Sequence, residues 1–156
     1  MALQYGTAST ATITSAGTLA SGSSASSAAI TSDTTVNVTD YMISVEFAYT
    51  GAPTATTGAV NVYVYSSVDG TNYMGNAATS DNIDGTDKSV TLQSPTNLIP
   101  IGTIAAQVTS TTVKGKDMSL AQAFGNVPPK WGVVVTNSVG QAFTSCTVRY
   151  RSVYYS

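Results

Sequence analysis

Histidine is absent from this 156-residue chain, and cysteine occurs once, at position 146. Without histidine the chain lacks the usual general base near neutral pH, the usual partner of a catalytic serine and the commonest metal ligand. A single cysteine forms no intrachain disulfide and no cysteine-based zinc cluster. Cys146 stands in an apolar stretch, so we expect a buried packing residue rather than a reactive thiol. The sequence therefore predicts no enzyme, no catalytic residue and no cofactor.

Charged residues are also scarce, at 9% of the chain against about 25% in an average soluble domain. The net charge is −2 with six Lys and Arg, which argues against nucleic acid as a direct partner because such binding needs many cation–phosphate contacts. No run approaches the roughly 20 apolar residues of a membrane helix, and the first residues lack the pattern of a signal peptide. We expect synthesis in the cytoplasm, no membrane partner, and a surface suited to being covered by another protein.

Apolar and polar residues alternate along several segments of the chain. The alternation runs through 34–49, 59–66, 89–93 and 142–155, and these segments are predicted to be strands, with a bend at Asp40 between two stretches of the first. Residues 131–136 form a nearly continuous apolar run, which predicts a strand covered on both faces. With short polar links between them, these segments indicate one all-β domain over 1–156, an antiparallel β-sandwich of jelly-roll-like type.

Three segments depart from this pattern. The Ser/Ala-rich stretch 20–29 has no large apolar residue to anchor it, so we expect a flexible loop or an arm that orders on a neighbour. Residues 117–124 carry a helical stripe, with Asp117 as a possible cap and Gly125 as a possible stop, which predicts one short helix. Asp69-Gly70 signals a hairpin whose return strand passes through residues 73–74.

Six residues are candidate partner contacts. The chain has nine Tyr against three Phe and one Trp, and such amphipathic rings serve both protein interfaces and sugar stacking. Arg149 and Arg151 are two apart on a predicted strand, so both point to one face and could meet a carboxylate or phosphate. Ordinary sheet packing and a solvated face are the alternative interpretations. The candidates are Tyr63, Tyr65, Tyr73, Arg149, Arg151 and Tyr154.

Asp81, Asp84 and Asp87 form the one acidic cluster, and loop carboxylates are ligands that calcium takes. The spacing does not match the EF-hand loop, because alignment on Asp84-Gly85 places Ser80 and Thr91 at the first and twelfth ligand positions. We prefer a solvated loop over 81–87 and predict no metal, with calcium as the open alternative.

The segment after Leu98 contains a recognisable succession of elements. The sequence LIPIGTI is followed by SLAQAFGNVPPKWGVVVTNSVGQAF. The second stretch contains a helical turn at 120–124, a Gly-x-x-Pro element at 125–128, an apolar strand that begins with Trp at 131–135 and an Asn-x-x-Gly turn at 137–140. This succession resembles small virion structural proteins of tailed bacteriophages and covers about a third of the chain.

The resemblance implies a decoration, or cement, protein located in the virion. Such a protein binds the lattice of the major capsid protein, stabilises the head and carries no catalytic residues. The Ser-rich arm and the Tyr-bearing strands would be its contact elements, and a homo-oligomer is expected, with trimers common among such sandwiches. Two alternatives stay open: a tail, neck or fibre-attachment component of the virion, and a carbohydrate-binding module that uses Tyr or Trp131.

Overall fold

The strands of this chain form two antiparallel sheets that pack face to face. The computed structural model describes residues 1–53, 58–75, 83–94, 96–106 and 112–156. The predicted all-β sandwich with one short helix, α1 (Leu120–Phe124), is confirmed. In chain order the strands are β1 (Leu3–Tyr5), β2 (Ser9–Thr10), β3 (Ser24–Ser26), β4 (Ile30–Thr31), β5 (Val38–Tyr49), β6 (Ala59–Ser67), β7 (Lys88–Val90), β8 (Ile99–Ala105), β9 (Thr112–Lys114), β10 (Met118–Ser119), β11 (Lys130–Asn137) and β12 (Phe143–Tyr155).

The first sheet has the order β1-β12-β5-β10, with β2 also paired to β12 and β9 to β5. The second sheet has the order β7-β3-β11-β6-β8, with β4 also paired to β11. The long strands β5 and β12 pair along most of their length in the first sheet, and β6 and β11 do so in the second. The centre of each sheet is therefore formed by strands that alternate in the sequence, β5, β6 and β12, and by the continuously apolar β11.

The main core lies between the two sheets and is filled by the alternating residues of the central strands. Because successive side chains of a strand point to opposite faces, every second residue of β5 faces inward. The same holds for Val60, Val62 and Val64 of β6 and for Val148 of β12. The buried main-core residues of β5 and β11 are Tyr41, Ile43, Val45, Phe47, Tyr49, Trp131, Val133 and Val135.

A second core lies on the outer face of the second sheet. It consists of Tyr65, Ile83, Val90, Leu98 and Val134, all buried. Val134 points into this cluster while its neighbours Val133 and Val135 point into the main core, so β11 is covered on both faces. The prediction of a doubly covered strand over 131–136 is confirmed.

The prediction of a flexible loop or arm over 20–29 is wrong for the centre of that segment. Residues 24–26 form β3, which lies between β7 and β11, and Ser24, Ala25, Ser26 and Ser27 are all buried. Their small side chains fit where two neighbouring strands approach, and their hydroxyls bond within the protein. The Ser26 hydroxyl donates to the Thr86 carbonyl at 3.1 Å, and the Ser24 and Thr136 hydroxyls are 2.8 Å apart.

The short helix begins later than predicted. Residues 118–119 are strand β10, and Ser119, rather than Asp117, caps α1 by accepting a hydrogen bond from the Gln122 N–H at 3.0 Å. The Asp40 carboxylate of β5 reinforces this first turn, because it accepts from the Ala121 N–H at 2.8 Å and from the Ser119 hydroxyl at 2.6 Å. Gly125 ends the helix in a left-handed conformation, as predicted.

The expected return strand through residues 73–74 does not form. The chain does turn at Asp69, whose carboxylate accepts from the backbone N–H groups of Thr71 and Asn72 at 2.8 Å. After the turn, one backbone bond joins the Met74 N–H to the Ser66 carbonyl. Strands β8 and β11 occupy the two edges of β6, so a hairpin partner has no continuous edge to pair with.

Ser27 provides a test of the buried serine segment. Its hydroxyl accepts from the Val133 N–H at 3.0 Å, and its own N–H donates to the Val133 carbonyl at 2.8 Å. Ser27→Ala leaves the buried Val133 N–H without its acceptor, so we expect the free energy of unfolding to fall by about 1–3 kcal/mol. Urea unfolding measures this change. Ser138→Ala, at an exposed serine, is the control, and equal stabilities of the two variants would contradict a stabilising hydrogen bond between Val133 and Ser27.

Candidate functional site

Three of the predicted contacts, Tyr63, Tyr65 and Tyr73, lie around the second core. Tyr65 is fully buried and donates its hydroxyl proton to the Ser27 carbonyl at 2.6 Å, so its prediction as a partner contact is wrong. Burial also raises the pKa of Tyr65. Tyr73 packs edge-on against Tyr65, with ring centroids 5.7 Å apart. Tyr63 and Tyr73 are each partly exposed, and their contact with a partner stays a prediction.

Arg149 and Arg151 lie on the outer face of the first sheet, as their spacing predicts, and both are exposed. Arg149 is 3.5 Å from a carboxylate oxygen of Glu46, which Lys114 approaches at the same distance. The Arg151 guanidinium lies over the Tyr5 ring, 4.7 Å from its centroid. Tyr154 lies apart from both arginines. The six candidates are therefore distributed over separate surfaces rather than gathered in one site.

Asp84 and Asp87, the residues of the predicted acidic cluster that the structure describes, accept hydrogen bonds from different partners. Asp84 accepts from Lys88 at 2.8 Å and from the Thr86 hydroxyl, and these bonds lower the pKa of Asp84 to about 2. Asp87 instead accepts from the backbone N–H and hydroxyl of Thr14 and of Ser15. Asp81 lies outside the described residues. Within the described ranges, no group of three His, Cys, Asp or Glu side chains is placed to hold a metal ion.

Cys146 is partly buried against the main core. Burial raises the pKa of its thiol to about 12, so the thiolate that reactive cysteines require is scarcely populated near neutral pH. The prediction that Cys146 is a packing residue agrees with this environment.

One edge of the first sheet is formed by β1, and its backbone offers unused hydrogen-bonding groups. Ala2 and Ser156 exchange both of their backbone hydrogen bonds, at 3.0 and 3.2 Å, and the Gly6 N–H donates to the Ser152 carbonyl at 2.9 Å. In an antiparallel pair the bonded residues alternate along a strand. The N–H and C=O groups of Leu3 and Tyr5 therefore point away from β12, and within the described part of the chain no strand pairs with them.

Large apolar side chains lie beside this edge and are partly exposed. Leu3, Tyr5 and Tyr155 are 47%, 54% and 47% exposed, which is high for large apolar residues. Leu3 is directly opposite Tyr155, and Tyr5 is opposite the buried Val153, so these side chains share one face of the sheet. We call this group, together with the free backbone edge of β1, the β1 edge.

Strand β1 carries no charged side chain and no Pro, and the usual protection that it does have is its shortness, at three residues. Natural edges are commonly protected by charged side chains, by Pro or by covering segments. Here the first charged residue of the chain is Asp33, and the first proline is Pro53. The prediction from sequence passed over this edge because a three-residue strand has too few positions to show periodicity. The alternation of Leu3 and Tyr5, together with the 32 uncharged residues that begin the chain, is the signal that was present.

No protein-family model matches this chain, and no curated protein matches it. No helix in the described ranges is long and apolar enough to cross a membrane.

Asp87 predicts how the stability depends on pH. Burial raises the pKa of this carboxyl, but the hydrogen bonds from Ser15 and Thr14 outweigh burial and lower it below its ordinary value. A carboxyl with a lowered folded-state pKa contributes stability above its unfolded pKa of about 3.9, and this contribution is lost as the pH falls through the folded value. Asp87→Asn should lower the free energy of unfolding at neutral pH by about 1 kcal/mol and reduce its decline below about pH 4.

Urea unfolding at neutral pH and at about pH 3 measures both effects. Asp117→Asn, at an exposed carboxylate, is the matched control. An unchanged pH dependence in Asp87→Asn would show that the hydrogen bonds from Thr14 and Ser15, in the short 3-10 helix Thr14–Ala16, do not lower the pKa of this carboxyl.

Proposed function

We propose that this chain is a non-enzymatic structural protein of a phage particle, a decoration protein that binds the lattice of the major capsid protein and stabilises the head. The resemblance over residues 98–143 supports the class of protein, and the β1 edge supports the mode of attachment. The observation that carries the proposal is an uncharged edge strand with half-exposed Leu3, Tyr5 and Tyr155 beside it.

The β1 edge is suited to strand addition. A partner segment that pairs with β1 accepts hydrogen bonds from the N–H groups of Leu3 and Tyr5 and donates to their C=O groups, while its side chains bury the apolar face beside them. Burying about 100 Å² of apolar surface contributes roughly 2.5 kcal/mol. The desolvation cost is limited because β1 itself carries no charged side chain, and the Arg151 guanidinium over the Tyr5 ring is the charged group that a partner meets there.

We infer that the occupant of this edge is an extended segment of the major capsid protein. Two copies of this chain could also pair through β1, but a strand of three residues offers few backbone bonds, and specific interfaces bury about 1,000 Å² or more. On a capsid shell, neighbouring capsid subunits also contact other surfaces of the bound protein. These contacts supply the rest of the buried area that a specific interface needs. The expected homo-oligomer stays a prediction, and light scattering of the isolated protein measures it.

The decoration role predicts a specific loss of binding. Tyr5→Lys places a charge in the apolar face of the β1 edge, next to the Arg151 guanidinium that already covers its ring. We expect affinity for heads assembled without this protein to fall about tenfold or more. Co-sedimentation of the purified protein with such heads measures the loss.

Two further variants make the result interpretable. Val68→Lys adds the same charge at a residue that is 88% exposed and lies in the turn after β6, so it should bind heads as the unaltered protein does. Tyr5→Phe keeps the ring and should retain most of the affinity. Equal binding by Tyr5→Lys and Val68→Lys would overturn the role of the β1 edge, and no binding to heads by the unaltered protein would overturn the decoration role.

A further inference from the structure

A polar groove of about 310 Å³ opens between the two sheets, beside the main core. Its volume is near the lower limit of small-ligand sites, which span about 300–1,000 Å³. The first sheet supplies one side, and the chain just after β4 supplies the other. The lining residues on which the argument depends are Ser9, Asp33, Tyr41, Tyr150, Ser152 and Tyr154.

The aromatic floor of the groove is held rigidly. Tyr41 and Tyr150 both pack against Trp131, with ring centroids 5.0 and 5.5 Å from it, and their own centroids are 6.1 Å apart. The Tyr41 hydroxyl also accepts a hydrogen bond from the Asp33 N–H at 2.8 Å. Tyr41 is buried, whereas Tyr150 is partly exposed. The Tyr150 ring, fixed by these neighbours, is therefore the aromatic surface that a ligand can contact with little loss of conformational entropy.

A carboxylate stands beside these rings. One oxygen of Asp33, Oδ1, accepts from the backbone N–H and the hydroxyl of Thr35, at 2.8 and 2.6 Å. These bonds lower the pKa of Asp33, so the group is ionised at neutral pH. The other oxygen, Oδ2, accepts no hydrogen bond from the residues that the structure describes. The hydroxyls of Tyr150 and Tyr154 likewise bond to no described residue, which leaves three polar groups of the groove lining available to a ligand.

We propose that this groove binds a neutral saccharide of one or two pyranose rings. A sugar ring places its C–H face against an aromatic side chain, and its hydroxyls donate to a carboxylate in charge-assisted hydrogen bonds. The groove supplies both groups, along with the hydroxyls of Ser9 and Ser152. No Lys or Arg is among the residues that line it, so phosphates, nucleic acids and acidic sugars gain no attraction and are repelled by Asp33. This inference does not depend on the decoration role.

An NMR titration of the ¹⁵N-labelled protein tests the proposal. The probes are maltose, lactose, mannobiose and N,N′-diacetylchitobiose, with 3′-sialyllactose as the acidic comparison. We expect at least one neutral disaccharide to bind with a Kd of about 1 mM or tighter, with shifts concentrated at Asp33, Tyr150 and Tyr154. The lone tryptophan, Trp131, contacts both floor rings, so its indole N–H signal should also shift.

Asp33→Asn is the decisive variant, because the amide retains an oxygen for the Thr35 bonds and removes only the charge. It should weaken binding about tenfold, whereas Asp117→Asn, at an exposed carboxylate elsewhere, should bind like the unaltered protein. Tyr150→Phe keeps the ring on Trp131 and should weaken binding through the lost hydroxyl. The proposal is overturned by the absence of binding by every neutral disaccharide at about 10 mM, by binding that Asp33→Asn leaves unchanged, or by equal affinity for sialyllactose and lactose.

Discussion

The burial of β11 on both faces is the constraint on which the rest of this structure depends. Its inward residues, Trp131, Val133 and Val135, complete the main core, and Val134 on the other face requires a second layer. The sandwich alone leaves that outer face in water. The chain covers it with the segment that carries Ile83, Val90 and Leu98. Burying both faces of one strand therefore explains why a two-sheet protein contains two cores.

The sequence predicts the central strands well because their apolar side chains are large and either alternate with polar residues or form one continuous run. β5, β6, β11 and β12 were all expected, and the double covering of β11 followed from its continuous apolar run. β3 could not be predicted in the same way, since Ser24, Ala25 and Ser26 show no apolar period. It is a strand because β7 and β11 present complementary edges to it and because its hydroxyls find acceptors inside the protein. Such strands are specified by their neighbours rather than by their own residues.

The candidate sites show the same division between local and long-range information. Spacing along one strand was enough to place Arg149 and Arg151 on one exposed face. The burial of Tyr65 was not predictable. Alternation along a strand shows which residues share a face, but it does not show whether that face is in solvent or covered by another segment. The groove joins Asp33, Tyr41 and Tyr150, which are far apart in the sequence and meet only through the pairing of β5 with β12 and of β4 with β11. The scarcity of charge, visible from the composition, becomes informative once it is located at the β1 edge.

The most direct test of the central claim is cryo-electron microscopy of purified phage particles made with this chain present in the host. The account predicts many copies of the sandwich spread over the head lattice, each with β1 placed against an extended segment of the major capsid protein. A few copies at the tail or portal vertex would contradict the decoration role and indicate a connector or fibre-attachment component. Absence of the chain from particles would contradict a virion role altogether.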